Sequence, residues 1–350
     1  MKLSLMVIVL YLDQITVKAY QREISSWTSE LFPEEYNTWW SYKSGELGGP
    51  ETWGTKSTYV NHQKKTLWPF CQQGRQQSPI DIQTERLVYD HSLKSMIISG
   101  RDEQLELIVE NVGQDLQLSV LSDDVFSMRI KFGSVSSRGS DHRIDGRSLP
   151  GEIYAFNGEL YGNYSQAAVQ PHGLVAISVF LRLSNTSNKD LLGVVAASEK
   201  TVFKGQRFQL KGLEFRSLLP VTQEYMTYEG SLPFPGCCES VTWIILNYPI
   251  SISEIELKTL RRLRIAQTLW SGSMADNFRP VQSLNNRSIR TNINFSSNNN
   301  NAECTVKKQI SYMVYFLSYG RPCGPVRAIR RPLWMQLNLR QLVIILNAHQ

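Results

Sequence analysis

The sequence predicts a mainly β protein with a few peripheral helices. Short runs of alternating apolar and polar residues are separated by clusters of Gly, Asn, Asp and Ser, a pattern typical of strands joined by turns. Helical periodicity is sparse by comparison, so strands dominate the prediction. The chain has 350 residues, of which 42% are hydrophobic and 19% charged. This balance supplies a full core and excludes a chain that is disordered throughout.

The individual elements follow from local pattern. The clearest strands are predicted over residues 105–109, 116–121, 126–132, 174–183 and 241–246. One helix is predicted over 253–264, because Ser253 is followed three residues later by Glu256, as in a capping box. Apolar residues then recur at helical spacing in that segment, at Ile255, Leu257, Leu260 and Leu263.

The basic charge of the chain lies at its C-terminal end. The 37 Lys and Arg exceed the 31 Asp and Glu by six. Residues 305–350 carry seven Lys and Arg and no acid, which leaves about −1 for residues 1–304. A near-neutral body argues against a nucleic-acid partner. We place a domain edge near Tyr319 and predict that 319–350 is a basic tail, either an unstructured extension or an amphipathic segment that touches acidic lipid or a partner.

The N-terminal residues predict secretion. Lys2 precedes the apolar run 3–12, and a polar stretch then leads to the small residue Ala19. This order predicts a signal peptide over 1–19, with an N-terminal core strand as the alternative. The main domain is then 20–318. Sequons at Asn163, Asn185, Asn286 and Asn294 are glycosylation candidates compatible with secretion. No apolar stretch is long enough to predict a membrane span.

Histidine and cysteine spacing offers no local metal site. The five His lie at least 29 residues apart, and the five Cys include no C-x-x-C pair. The sequence also has no G-x-S-x-G, phosphate-binding loop or H-E-x-x-H motif. In an exported protein the cysteines predict disulfides, with one cysteine left over. We therefore predict no metal and no other cofactor.

Several segments together resemble the α-carbonic anhydrase family. They are residues 76–82, 132–142, 225–232, 241–244, 277–282 and 284–287, and the ordered matches extend over roughly 39–316. The segment 288–295 is similar to the carbonic anhydrase-related proteins ten and eleven within that family. The resemblance implies a large twisted, mostly antiparallel central sheet of about ten strands. Those two relatives are secreted, catalytically inactive ligands of neurexins, so the resemblance also implies a neurexin-like receptor as partner.

The resemblance identifies where the zinc ligands of an active member would stand. Two of them form H-x-H on one strand, because side chains two residues apart share a face of a strand. Arg129 and Lys131 occupy these positions, and Tyr154 or a neighbour within 152–157 occupies the third. Arg cannot deprotonate in a protein, and a Lys ammonium has no lone pair for a metal. Two retained cations would therefore exclude a metal ion as well as fail to bind it.

The resemblance also identifies two other catalytic positions, and the residues there lack the functional group that catalysis needs. Pro233 stands where the substrate-orienting hydroxyl is expected, and Gln114 where the proton-shuttle His is expected. Asp141 and Glu152 match carboxylates that orient the metal ligands. Without a bound metal, Glu152 is expected either to pair with one of the strand cations or to have an independent hydrogen-bonding role.

The resemblance also implies a disulfide from Cys71 to Cys237, with the adjacent Cys238 as the alternative partner. If Cys304 and Cys323 pair with each other, Cys238 remains as the odd thiol. The sequence as a whole predicts a secreted, catalytically inactive carbonic anhydrase-related protein that acts as an extracellular protein-binding module. The alternative is a zinc-dependent carbonic anhydrase or an esterase with residual activity through an unconventional site.

Overall fold

The computed structural model describes residues 40–46, 48–60, 63–99, 105–120, 123–157, 161, 164–295, 336–339 and 342–345. The strands, numbered along the chain, are β1 (Ser57–Val60), β2 (Gln63–Thr66), β3 (Asp81–Ile82), β4 (Val88–Tyr89), β5 (Ile97–Ser99), β6 (Leu105–Asn111), β7 (Leu116–Val120), β8 (Asp123–Phe132), β9 (Arg143–Ile144), β10 (Gly151–Asn157), β11 (Leu174–Leu183), β12 (Arg207–Leu213), β13 (Tyr225–Gly230), β14 (Val241–Leu246), β15 (Ile250–Ile252), β16 (Arg290–Thr291), β17 (Gln336–Leu339) and β18 (Leu342–Ile345). The helices are α1 (Phe70–Gln73), α2 (Tyr164–Ala168), α3 (Lys189–Ser198) and α4 (Glu254–Leu260). Short 3-10 turns run over Pro50–Thr55, Thr84–Arg86 and Phe215–Leu218.

A single large sheet dominates the fold. It has eleven strands in the order β12-β6-β7-β8-β10-β11-β14-β13-β16-β4, with β15 paired to β11 off this path. Most neighbours are antiparallel, and the pairs of β11 with β14 and β15, and of β16 with β4, are parallel. The predicted fold class is confirmed, since the sheet is large and the helices are few and short.

The predicted strands and helix are present with small differences at their ends. The predicted strands correspond to β6, β7, β8, β11 and β14. The capping box of α4 is also present, with Ser253 Oγ accepting from Glu256 N and Glu256 Oε2 accepting from Ser253 N. The helix ends at Leu260, earlier than predicted, because Leu263 N donates to Leu260 O in a tighter turn and Arg264 N donates to Val202 O.

The two faces of the sheet pack into separate cores. Along β8 the apolar side chains Met128, Ile130 and Phe132 lie in a core with α3 and α4. The opposite face packs against a second core, rich in aromatic residues, that includes Trp53, Tyr154, Phe156, Trp243 and Phe234. This alternation follows from the two-residue period of a strand. It places Arg129 and Lys131 on the aromatic side.

Two short strands lie near the C-terminal end of the chain. β17 and β18 pair with each other, and β18 pairs with β5, so part of the predicted tail forms strands in a three-stranded sheet. The boundary near Tyr319 stays a prediction. The predicted signal peptide 1–19, Asn163, Cys304 and Cys323 lie outside the described residues. Within the described part of the chain, no helix is long and apolar enough to cross a membrane.

Candidate functional site

Pairing of β8 with β10 brings the predicted site positions together. Arg129 lies directly opposite Tyr154, and Lys131 lies opposite Glu152. Because residues 129 and 131 share a face of β8, all four side chains point toward the aromatic core. The Lys131 Nζ atom lies 5.5 Å from the centre of the Tyr154 ring. The structure thus assembles the three positions at which the family resemblance locates zinc ligands.

The two cations of β8 share one carboxylate that the sequence analysis did not identify. Asp115 Oδ1 accepts from Lys131 Nζ at 2.7 Å, and Asp115 Oδ2 accepts from Arg129 Nη1 at 2.7 Å. Side chains of Asp115 and Lys131 are fully buried, whereas 12% of the Arg129 side chain is exposed. We name Asp115, Arg129 and Lys131 the ion triad.

Neutral groups complete the hydrogen bonding of the ion triad. Tyr42 OH accepts from Lys131 Nζ at 2.7 Å and donates to Asp115 Oδ2 at 3.1 Å. Asn277 Nδ2 donates to Asp115 Oδ1 at 3.1 Å. The Lys131 ammonium also lies 4.0 Å from the centre of the Tyr42 ring, a distance typical of a cation–π contact. A buried charge of this kind is stable only when it is paired and hydrogen-bonded, as it is here.

The ion triad keeps Asp115 ionised. Burial alone would raise the pKa of the Asp115 carboxyl, but the charges and hydrogen bonds of Lys131 and Arg129 hold this pKa below its ordinary value. Burial raises the pKa of the Tyr42 and Tyr154 hydroxyls well above the usual range, so both side chains remain neutral. The ion triad therefore consists of two cations and one anion, and the two phenols add no charge to it.

Asp141 lies at the edge of this arrangement. Its Oδ1 accepts from Arg279 N at 2.7 Å, and its Oδ2 lies 4.0 Å from Lys131 Nζ. Burial raises the pKa of the Asp141 carboxyl to about 6 despite the nearby Lys131. Asp141 is thus a weak second partner of the ammonium.

Glu152 belongs to a separate hydrogen-bond network. Its carboxylate accepts from His142 N at 2.8 Å and from Ser178 Oγ at 2.5 Å, and it lies 2.7 Å from His142 Nδ1. His142 Nε2 in turn lies 2.7 Å from Tyr228 OH. Of the two roles left open for Glu152, the structure shows the independent one. Pairing with Arg129 or Lys131 is wrong, because Asp115 already takes both cations.

The predicted positions outside the strands lie around the same core. Gln114 Nε2 donates to the Trp40 carbonyl at 3.3 Å. Pro233 lies in a buried loop whose next residue, Phe234, has its ring centre 4.2 Å from the Arg129 guanidinium. A disulfide from Cys71 to Cys237 ties this loop to α1, so the structure contains the first of the two alternative bridges.

The side chains at the three candidate ligand positions do not fit a zinc ion. Structural and catalytic zinc sites use Cys, His, Asp or Glu. Here a guanidinium, an ammonium bound to a carboxylate and the neutral phenol of Tyr154 stand at those positions. Among the described residues, no group of three or more His, Cys, Asp and Glu side chains is arranged to bind a metal ion.

Comparison with known proteins gives one family. A family model described as eukaryotic-type carbonic anhydrase matches residues 48–293. The chain is 35% identical over 273 residues to carbonic anhydrase-like protein 2 of Caenorhabditis elegans, a match that covers 71% of this chain and 78% of that protein. It is 30% identical over 338 residues to carbonic anhydrase-like protein 1 of the same organism, covering 73% of this chain and 90% of that protein.

Proposed function

Because this chain belongs to the eukaryotic-type carbonic anhydrase family, we propose that it is a secreted, catalytically inactive member that acts as an extracellular protein-binding module. The ion triad is the observation that carries the proposal. Two buried cations that share one carboxylate stand where an active member needs three neutral imidazoles around a divalent ion. A cation about 6 Å from a divalent ion costs on the order of 5 kcal/mol at an effective dielectric constant of 20.

The surroundings of the triad support the same proposal. Pro233 has no hydroxyl or N–H with which to orient a metal-bound hydroxide. Gln114 cannot carry a proton near neutral pH, and its amide is bound to a backbone carbonyl. Each of these losses would lower turnover even if a metal ion were supplied.

Features of the surface and the covalent structure support secretion. The Cys71–Cys237 disulfide is of a type that persists in oxidising compartments. The described sequon residues Asn185, Asn286 and Asn294 are all exposed, as acceptors of a bulky glycan must be. By similarity of 288–295 to the carbonic anhydrase-related proteins ten and eleven, the partner we propose is a neurexin-like cell-surface receptor.

Metal content and hydration activity test the inactivity of the protein. Protein purified without chelator is expected to carry far less than one zinc per chain, because Arg129, Lys131 and Tyr154 provide no ligand set. Hydration of carbon dioxide measured by stopped flow is expected to match the buffer blank. Stoichiometric zinc in the cleft, or hydration that acetazolamide inhibits, would favour a residual zinc enzyme and refute the proposal. Binding to a purified neurexin ectodomain, with an unrelated ectodomain as control, tests the partner separately.

Restoring the ligands is expected to restore metal binding more than catalysis. Arg129→His with Lys131→His removes both cations, and adding Tyr154→His supplies a third imidazole on the adjacent strand. We expect weak zinc affinity in the double variant and higher affinity in the triple variant, measured by isothermal titration. Neither variant should hydrate carbon dioxide appreciably, since Pro233 and Gln114 remain. Robust turnover by the double variant would mean that another side chain supplies the third ligand.

A further inference from the structure

A group of buried donors beside the ion triad has no hydrogen-bond partner. Among the described residues, the buried side-chain atoms without a partner include Ser127 Oγ, Arg129 Nε and the hydroxyls of Tyr154 and Tyr164. A buried polar group that is left unpaired costs roughly 1–3 kcal/mol, so native proteins rarely retain several together. We name these four residues the donor cluster.

The members of the donor cluster are neighbours in the fold. Ser127 lies opposite Phe156, and Arg129 lies opposite Tyr154, on the paired strands β8 and β10. The Phe156 ring centre lies 5.2 Å from that of Tyr154 and 6.0 Å from that of Tyr164. Helix α2, which begins with Tyr164, packs against β8. The four residues of the donor cluster are therefore neighbours on one face of the sheet.

The side chains of the donor cluster can all donate hydrogen bonds, so a group that binds there must be a hydrogen-bond acceptor. An Arg Nε–H can only donate, and a Ser or Tyr hydroxyl can donate. Burial raises the pKa of the Tyr164 hydroxyl to about 12, and that of Tyr154 is raised as well, so both phenols keep their protons at neutral pH. Asp115 already accepts from Lys131, Arg129, Tyr42 and Asn277, so its oxygens are occupied.

Charge and access restrict the acceptor further. The ion triad carries a net charge of +1, which Asp141 partly offsets at the Lys131 end, so an anion is favoured at the Arg129 end. Arg129 is 12% exposed whereas Lys131 is fully buried, so the Arg129 end of the ion triad is the end nearer to solvent. A guanidinium and hydroxyl donors together match the two oxygens of a carboxylate.

We propose that Ser127, Arg129, Tyr154 and Tyr164 bind a carboxylate group, carried either by a small free acid or by an acidic side chain of a partner. One carboxylate oxygen accepts from the guanidinium, and the hydroxyls donate to the remaining lone pairs. This site uses no metal ion. It needs only these four side chains, so it does not depend on the secretion or receptor binding proposed above.

Isothermal titration with acetate on the full-length protein tests the site, and acetamide is the neutral isostere for comparison. We expect acetate to bind and acetamide not to bind. Tyr154→Phe and Tyr164→Phe should each weaken acetate binding about tenfold or more, the size of a hydrogen bond to a charged group. The matched control is Tyr89→Phe, in an exposed side chain on β4, which should leave acetate binding unchanged.

The source of the carboxylate is tested by a second titrant. N-acetylglutamate amide presents the same carboxylate as a side chain of a peptide-like unit. Tighter binding of this compound than of acetate supports a partner side chain, and the reverse supports a free acid. Repeating the titration after chelation separates this site from any bound metal, since the donor cluster keeps its affinity without one.

Two outcomes would overturn the inference. The first is that acetate does not bind at any concentration up to about 0.1 M, although urea unfolding shows that the protein is folded. Water alone would then satisfy these donors. Equal acetate affinity in the wild type, Tyr154→Phe and Tyr164→Phe would place the anion elsewhere on the protein. Neither result bears on whether the protein binds zinc.

Discussion

Asp115→Asn is expected to lower the free energy of unfolding by about 3–5 kcal/mol. The substitution keeps the size of the side chain but removes the only carboxylate within hydrogen-bond distance of Arg129 and Lys131 among the described residues. Two buried cations then lose their shared counter-charge, and only Asp141, 4.0 Å from Lys131 Nζ, remains as a weak partner. Urea unfolding monitored by fluorescence measures the effect, and an unchanged slope would show that the denatured state is not altered.

Two further variants isolate the cause of that loss. Adding Lys131→Met to Asp115→Asn removes one uncompensated cation, so the double variant should be more stable than Asp115→Asn alone. Glu110→Gln is the matched control, because it breaks the exposed ion pair of Glu110 with Arg207. This control should cost less than about 1 kcal/mol. A loss of similar size for Asp115→Asn and Glu110→Gln would contradict the importance of the buried triad.

Replacing both Cys71 and Cys237 with Ala is expected to lower the free energy of unfolding by about 2–5 kcal/mol. The bridge joins residues 166 positions apart, and a crosslink over so long a loop strongly restricts the unfolded chain. It also ties the buried loop that contains Pro233 and Phe234 to α1. Urea unfolding without reductant measures the loss.

Peptide mapping under non-reducing conditions accompanies this experiment. The wild-type protein should yield a crosslinked peptide that contains Cys71 and Cys237. Reductant should lower the unfolding midpoint of the wild type more than that of the double variant, because the variant no longer has this bridge to lose. A free Cys71 in protein from an oxidising secretory pathway would contradict both the bridge and the proposed localisation.

The strands could be predicted because the burial of each strand determines the order of apolar and polar residues within its own short segment. Alternation in β6, β7 and β8 reflects an apolar core on one side of the sheet, and the capping box of α4 lies within four residues. The helix α3 was not predicted. Its N-terminal end is capped by Asn188, whose side chain accepts from Asp190 N and Leu191 N. Gly193 lies in the middle of the helix and weakens the helical pattern of the sequence.

Pairing register explains why the partner of the two cations could not be predicted. Leu116 of β7 pairs with Ile130 of β8, and the same register continued by one residue brings Asp115 beside Lys131. At the other end of β7 the register shifts, and Val120 pairs with Asp123. An uninterrupted register counted from Val120 would place Asp115 beside residue 128 instead. Such an irregularity is a property of the folded sheet and has no clear mark in the sequence.

The sequence by itself determined which residue types stand at the family's ligand positions and which face of β8 carries them. An arginine, a lysine and a tyrosine have no imidazole lone pair, and a two-residue period places alternate side chains on one face. Only the tertiary structure decided how their charges are compensated. Asp115 pairs with Arg129 and Lys131, and Glu152 pairs with His142 although it lies opposite Lys131. Partner choice depends on distances of a few ångströms and on burial, and both arise only when distant strands come together.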